Sequence, residues 1–198
     1  MNLPVQRLGD GARAGYAAHL HALPPEDVRL RFGSPLAAEA IDAYVARIDF
    51  DADAVFAAHD ERLAPVGVAH VGVVDDAAEL GVSVLPDHRG RGLGSALVAR
   101  AFEHARNRGL RRLWMHCLAG NATMTRIARR AGMAVVVDAG EADASLALPP
   151  RDPASVASEL AADQVALFDY ALKAQVASIA GMVDAVRREA RRRRDRRR

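Results

Sequence analysis

A glycine-rich turn between a strand and a helix is the feature that most constrains this chain. Residues 82–95 read VSVLPDHRGRGLGS: a β-branched run stops at Pro86, and glycines then occupy every second position from 90 to 94. Glycine has no Cβ, so successive N–H groups can point toward a ligand, and the helix that follows adds free N–H groups and its positive dipole end. Arg89 and Arg91 add positive charge. The segment therefore predicts a binding site for a phosphate or diphosphate.

Two common phosphate-binding loops do not fit this turn. A P-loop requires Gly-Lys-Ser/Thr, whereas the one lysine of the chain is Lys173, far away in sequence. A dinucleotide-binding fingerprint requires a glycine-like residue where Ser95 stands and an acid at the end of the next strand. Residues 113–118 read LWMHCL and carry no acid. A different class of phosphate ligand is therefore expected.

The pattern that remains, Arg89-x-x-Gly92-x-Gly94 after a strand, resembles the acetyl-CoA loop of the GNAT-type N-acetyltransferase superfamily. A second segment, residues 121–133, reads NATMTRIARRAGM and is similar to that family's second cofactor segment. Asn121 is a good helix N-cap, and Gly132 suits the position just after a helix end. The two motifs occur in the family's order, separated by one helix and one strand.

The resemblance extends to a narrower group. Residues 23–32 (LPPEDVRLRF) and 78–84 (AELGVSV) are similar to the acetyltransferase domain of bacterial protein-lysine acetyltransferases, and the likeness covers roughly residues 4–148. Many family members place at position 128 a tyrosine that protonates the leaving thiolate. This chain has Ala128 there, as the lysine-directed relatives do.

The resemblance implies acetyl-CoA as co-substrate, no metal, and direct attack of an amine on the thioester. Glu79 stands where the lysine-directed relatives carry a glutamate base. Strand alternation puts the small residues Gly81 and Ser83 on the same face, which leaves room beside the carboxylate. From the residues alone, an exposed glutamate at a strand end is an equally good interpretation. The implied cofactor-binding residues are Val82, Ser83, Val84, Arg89, Gly90, Arg91, Gly92, Leu93, Gly94, Ser95, Asn121 and Met124.

Three functional hypotheses follow. The first is an acetyl-CoA-dependent N-acetyltransferase whose acceptor is a lysine side chain of a protein. The second is an acetyltransferase for a small-molecule amine, with helices in residues 11–48 forming the pocket. The third is a non-catalytic acetyl-CoA-binding sensor. The presence of both Glu79 and the full cofactor loop favours an enzyme.

Hydrophobic periodicity predicts an α/β (α+β) fold with a mixed central sheet of six to seven strands and flanking helices. Helices alternate with strands in the second half of the domain, so the sheet is expected to be mixed. Predicted strands cover residues 5–8, 55–59, 66–74, 79–85, 113–118, 134–137 and 144–148. Predicted helices cover residues 11–22, 25–32, 35–48, 93–108 and 121–131.

A proline-rich segment at 149–153 predicts a boundary between a GNAT-like domain of residues 1–149 and an amphipathic helix within residues 150–190. Asp152 is expected to cap this helix. Its three-four stripe either packs on its own domain or pairs with a second copy in a homodimer. The stripe consists of Val165, Phe168, Leu172, Gln175, Ile179, Met182 and Val186.

Charge is unevenly distributed although the net charge is only +2. Residues 187–198 hold nine arginines, Glu189 and Asp195, a sum of +7, which leaves residues 1–186 at −5. The Arg-rich end (residues 191–198) is expected to be disordered, with nucleic-acid binding as a less favoured alternative because no aromatic residues are interleaved. No long apolar run or leader pattern appears, which predicts a cytoplasmic protein without a membrane segment.

Overall fold

A seven-stranded mixed sheet forms the centre of the molecule. The computed structural model describes the backbone of residues 3–195 and the side chains of residues 3–182. The strands are β1 Gln6–Leu8, β2 Ala54–His59, β3 Pro65–Val74, β4 Ala77–Val84, β5 Arg112–Leu118, β6 Ala134–Asp138 and β7 Glu141–Ala147. The strand order is β1-β2-β3-β4-β5-β7-β6; β4 and β5 are parallel, and every other neighbouring pair is antiparallel. This confirms the predicted fold class.

Six α-helices accompany the sheet in the described part of the chain. They are α1 Arg13–His21, α2 Pro25–Phe32, α3 Ala38–Ala46, α4 Leu93–Asn107, α5 Ala122–Arg130 and α6 Pro153–Asp195. α2 has a proline in its first turn and is followed by Gly33, whose φ of 78° is left-handed. Proline is favoured at the start of a helix and glycine just after its end. α1 begins two residues later than predicted because Asp10–Ala12 forms a 3₁₀ turn.

Each face of the sheet is covered by its own group of helices. Strand alternation sends Phe56 and Ala69 to the face that packs against α4 and α5. Val55 and Val68 point to the opposite face, where α1, α2 and α3 complete a second core around Tyr16. The catalytic candidate Glu79 pairs across strands with Gly72, and Gly81 pairs with His70.

The strands β4 and β5 pair over only part of their length. Their parallel pairing joins Ala77–Glu79 to Arg112–Trp114, whereas β4 continues to Val84 and β3 accompanies it throughout. Within the described chain, the edge of β4 after Glu79 therefore has no strand partner on the β5 side. Main-chain N–H and C=O groups that point to that side are available to a ligand, apart from the Val84 carbonyl, which accepts a hydrogen bond from Arg89.

The beginning of α6 is fixed to α4 by buried polar contacts. Arg100 contacts Asp163 at 2.5 Å and Glu159 at 3.3 Å, and the Glu159 carboxylate also accepts hydrogen bonds from His104 and Asn107. Burial opposes the charge on Glu159, yet these hydrogen bonds lower its pKa to about 2. The predicted Asp152 cap is confirmed, since its Oδ1 accepts the N–H of Ser155 at 2.7 Å.

The predicted apolar stripe of α6 lies on the side of the helix that faces away from the domain. Val165, Phe168, Leu172, Ile179 and Met182 are all more than half exposed, and Ala166 on the opposite side is buried. Packing of this stripe on its own domain is therefore excluded for the described side chains. The side chain of Val186 lies outside them.

α6 extends beyond the predicted boundary at residue 190 to Asp195. Residues 196–198 of the predicted Arg-rich tail lie outside the described residues, and the side chains of 187–195 are not described either, so disorder and anion binding there stay predictions. In the described part of the chain, no helix combines the length and apolarity that a membrane crossing needs. The same residues contain no group of three or more His, Cys, Asp or Glu side chains arranged to hold a metal ion.

Candidate active site

A cavity of about 560 Å³ lies where the glycine turn, the end of β4, α2 and the start of α5 meet. Every predicted cofactor-binding residue lines it except Arg91. We refer to it as the first cavity. The other lining residues are Leu23, Asp27, Leu30, Arg31, His88, Thr123, Arg126, Ile127 and Arg130.

The glycine turn has the backbone conformation that its sequence predicts. Gly90 and Gly92 have φ angles of 74° and 83°, a left-handed region that favours glycine. No side chain caps α4, whose N-cap is Gly92, so its first N–H groups remain available to an anion. Gly94 differs from these two: a Cβ there would lie 2.9 Å from Cδ1 of Ile127, so the end of that side chain would have to shift.

The two arginines of the turn have different surroundings. Arg89 is held by a 2.6 Å ion pair with Asp27, and its Nε donates to the Val84 carbonyl at 3.1 Å. Arg91 instead donates to the Asp87 carbonyl and lies outside the cavity lining. Arg126 and Arg130 of α5 supply the positive charge that the sequence analysis assigned to Arg91.

Asn121 begins α5 as predicted, because its Oδ1 accepts the N–H of Met124 at 3.1 Å. Gly132 follows the helix with a φ of 84°, also as predicted. Ala128 is completely buried in the core beneath the first cavity. The position that carries the thiolate-protonating tyrosine in many relatives thus offers no hydroxyl here.

Ser83 has a histidine partner that is remote in sequence. The Ser83 hydroxyl lies 2.9 Å from Nε2 of His19, and Nδ1 of His19 lies 2.9 Å from the Pro65 carbonyl. Nδ1 therefore donates to that carbonyl, and Nε2 accepts the hydroxyl proton of Ser83. Burial lowers the pKa of His19 to about 4, so the ring is neutral near pH 7.

A second cavity of about 180 Å³ lies beside the first. Glu79 lines this second cavity and not the first, and Arg31 lines both. The two cavities therefore meet at Arg31, next to the point where β4 and β5 part. The lining residues of the second cavity are Arg31, Phe32, Gly33, Tyr44, His70, Gly72, Glu79, Gly81 and His116.

The two histidines of the second cavity have opposite pKa shifts. Burial and the nearby Arg31 lower the pKa of His70. The pKa of His116 is raised, chiefly by its hydrogen bond to Asp143, whose Oδ1 lies 2.8 Å from Nδ1. His70 is thus neutral near pH 7, while His116 gains a proton more readily than a free histidine.

The sequence indicated helices in residues 11–48 as a possible acceptor pocket, but it did not indicate which residues of α1, α2 and α3 contribute to this site. Arg31 and Asp27 lie in the segment 23–32, whose similarity to lysine acetyltransferases was noted without assigning any site residue to it. Tyr44 and His19 carry no local motif. Their relation to Glu79 and Ser83 depends on helices packing over the sheet, which no spacing in the sequence reveals.

Comparisons with known proteins agree with this architecture. Residues 20–133 match the family model described as the acetyltransferase (GNAT) family. No curated protein sequence matches the chain.

Several solved structures share the fold. The GNAT domain of PAT from S. lividans has a TM-score of 0.63 and 22% identity, covering 73% of this chain and 89% of that one. A ribosomal-protein-alanine N-acetyltransferase from Brucella melitensis has a TM-score of 0.56 and 20% identity, covering 73% of this chain and 99% of that one. A phosphinothricin acetyltransferase from Sinorhizobium meliloti, solved with acetyl-CoA, has a TM-score of 0.58 and 16% identity, covering 77% of this chain and 95% of that one.

Proposed function

The chain belongs to the acetyltransferase (GNAT) family and is an N-acetyltransferase that uses acetyl-CoA, and from this premise we propose that Glu79 is its general base and that the second cavity receives the acceptor amine. The observation that carries the proposal is the junction of the two cavities. One is lined by the glycine turn and the other by Glu79, and they meet beside the parted strands β4 and β5.

The first cavity suits the anionic part of acetyl-CoA. Main-chain N–H groups from Gly90 to Ser95 are proposed to bind its diphosphate, with Arg126 and Arg130 of α5 adding positive charge to the cavity lining. Arg89 keeps the turn in place through Asp27. The unpaired edge of β4 at Val82–Val84 offers main-chain hydrogen-bonding groups to the amide-containing arm of the co-substrate.

Acetyl-CoA supplies an activated acetyl group as a thioester. The acceptor nitrogen must be uncharged to attack, whereas a free lysine has a pKa of about 10.4. Glu79 accepts one proton of the ammonium, the neutral nitrogen then forms an N–C bond as the C–S bond breaks, and the nitrogen releases its second proton to water. Main-chain N–H groups near Val84 are proposed to stabilise the carbonyl oxygen. Thiols ionise near pH 8.5, so the sulfur leaves as thiolate without the help of a side chain at position 128.

Two acceptor classes are supported by different observations. A lysine side chain of a protein is supported by the motif similarity of residues 121–130 and by Glu79 itself. A small-molecule amine is supported by the size of the second cavity, about 180 Å³. Since water occupies about 30 Å³ per molecule in the liquid, this space holds roughly six groups of that size.

The proposal is tested by incubating the full chain with labelled acetyl-CoA and a panel of lysine-containing peptides, proteins and free amines. Transfer to any amine, together with saturable acetyl-CoA binding in calorimetry, supports it. Saturable binding without transfer to any acceptor would instead favour the acetyl-CoA sensor.

We further propose that residues 1–149 form the catalytic domain and that α6 joins two copies of the chain. The exposed apolar stripe on α6 spans Val165 to Met182, about 25 Å along the helix axis. Opposite charges on residues 1–186 and on the Arg-rich end favour a second copy of the same chain as the partner.

A further inference from the structure

Arg31 occupies an unusual position at the junction of the two cavities. Its guanidinium lies directly on the main chain of Gly81 in β4, so that a Cβ at position 81 would overlap with it. The absence of a side chain at position 81 is therefore what admits the guanidinium. It lies on the same face of the sheet as Glu79, two residues along the strand, or about 7 Å away by strand geometry.

This guanidinium lacks an acidic partner among the described side chains. Its Nη2 donates to the Tyr44 hydroxyl at 2.9 Å, and its carbon lies 4.8 Å from the centre of the Phe32 ring. Its Nε is buried without any hydrogen-bond partner, and no described carboxylate lies within 4.0 Å. A guanidinium has five N–H donors, and leaving its charge unpaired away from water is costly.

Arg100 provides a comparison, because it is an arginine with a structural role that joins α4 to α6. Arg100 is buried, whereas Arg31 is partly buried, and the Nε of each lacks a hydrogen-bond partner. Arg100 is, however, surrounded by the carboxylates of Glu103, Glu159 and Asp163. Arg31 faces two cavities and has none. The difference indicates that the counter-charge of Arg31 arrives with a ligand.

The neighbours of Arg31 hold it in place without neutralising it. Because the Tyr44 oxygen accepts from Arg31, its hydroxyl proton is donated to Nδ1 of His70 at 2.7 Å. Nε2 of His70 then donates to Asp53 at 3.2 Å, and Asp53 also accepts the Val73 N–H. The negative charge of Asp53 is thus separated from Arg31 by two neutral side chains.

Resting on the proposed function, which puts the acceptor amine beside Glu79, we infer that Arg31 binds a carboxylate of the acceptor and that the acceptor is an amino acid or a similarly small amino carboxylate. A planar guanidinium matches a carboxylate through two parallel hydrogen bonds. The second cavity then presents one acidic and one basic group to the two charged ends of one small molecule. Its volume of about 180 Å³ agrees with a molecule of this size.

The test compares matched acceptors. The standard amino acids and their α-carboxamides are offered with labelled acetyl-CoA to the wild type, Arg31→Gln and Arg29→Gln. Arg29 lies on the same helix, is exposed and pairs with Glu26, so it controls for loss of charge on α2. The wild type and Arg29→Gln are expected to prefer the acid over its amide in kcat/KM by about 10- to 100-fold, and Arg31→Gln is expected to lose that preference.

A second variant covers the case in which Arg31→Gln does not fold. Gly81→Ala retains the guanidinium but displaces it from β4, and it is expected to reduce the same preference. Equal use of acids and amides by the wild type, persistence of the preference in both variants, or transfer to lysine peptides alone would overturn the carboxylate assignment while leaving the N-acetyltransferase intact. Failure to acetylate any amine would overturn the proposed function and this assignment together.

Discussion

The proposed chemistry depends on Glu79, whose side chain is exposed. Its cross-strand neighbour is Gly72, and Gly81 lies two positions further along its own strand. An amine can therefore approach it without displacing a side chain of β3 or β4. Replacing Glu79 by glutamine keeps the shape but removes the proton acceptor. We expect kcat to fall by about 10²- to 10⁴-fold with little change in acetyl-CoA affinity, measured by steady-state kinetics and calorimetry.

Glu39→Gln is the matched control for that experiment. Glu39 is exposed in the first turn of α3 and lines neither cavity, so its replacement should leave kcat unchanged. Wild-type turnover in Glu79→Gln would remove Glu79 from the role of base.

Gly92 offers a second test at the scale of one residue. Its left-handed backbone and its place at the start of α4 both predict that Gly92→Val weakens acetyl-CoA binding. Gly140, in the turn between β6 and β7, has a φ of 91° and lines neither cavity. Both variants should lose about 1–2 kcal/mol of stability, since valine strains a left-handed position. Calorimetry should show a Kd raised about 10-fold or more only for Gly92→Val. An unchanged Kd in that variant would contradict the cofactor assignment.

At the scale of an element, the attachment of α6 to α4 depends on Glu159. A carboxyl whose pKa is lowered by folding contributes stability above its unfolded pKa of about 4.5, and this contribution disappears as the pH falls toward about 2. Glu159→Gln should therefore destabilise the protein by about 2–3 kcal/mol at pH 7. The difference from the wild type should shrink progressively between pH 4.5 and pH 2 in urea unfolding.

Glu26→Gln provides the comparison for Glu159, because Glu26 forms an exposed pair with Arg29 on α2. Exposed pairs of this kind contribute little, so Glu26→Gln is expected to leave the free energy of unfolding nearly unchanged at every pH. A pH-independent difference between Glu159→Gln and the wild type would show that lost packing, and not the charge, accounts for it.

At the scale of the whole molecule, the stripe on α6 predicts a homodimer. Phe168 is 73% exposed and Leu172 follows one turn later on the same side. Glutamate at both positions places charge at the centre of the proposed interface. We expect the wild type to sediment as a dimer and Phe168→Glu/Leu172→Glu as a monomer in analytical ultracentrifugation.

Val74→Glu is the control for that prediction, since Val74 is an exposed apolar residue at the end of β3, outside α6. It should remain dimeric. Monomeric wild-type protein at micromolar concentration would exclude the dimer through α6.

The sequence predicted most helices and strands, because the residues that mark the ends of a helix and the alternation that marks a strand lie within the segment itself. Pro25 and Gly33 bound α2, Asn121 and Gly132 bound α5, and alternating apolar residues define the strands. The partial pairing of β4 and β5 has no such signal. It depends on where two strands separated by a helix diverge, which is a property of the assembled sheet.

The candidate site likewise has a part that the sequence predicted and a part that only the structure revealed. The glycine turn and the Asn121 segment are contiguous, and the residues they predict line the first cavity together, apart from Arg91. The sequence left open whether the apolar stripe of α6 packs on its own domain or pairs with a second copy. The structure excludes the first alternative for the described side chains, because α4 covers the other side of that helix and leaves the stripe exposed.

What the sequence by itself determined is the anion-binding backbone of the turn, since glycine conformations and helix ends are consequences of residues adjacent in the chain. What only the tertiary structure decided is the identity of the groups that face Glu79. Arg31, Tyr44 and His70 come from α2, α3 and β3, and they meet because two cores on opposite faces of one sheet hold those elements in register. Such proximity between residues distant in sequence is fixed by packing, which leaves no periodic trace in the chain.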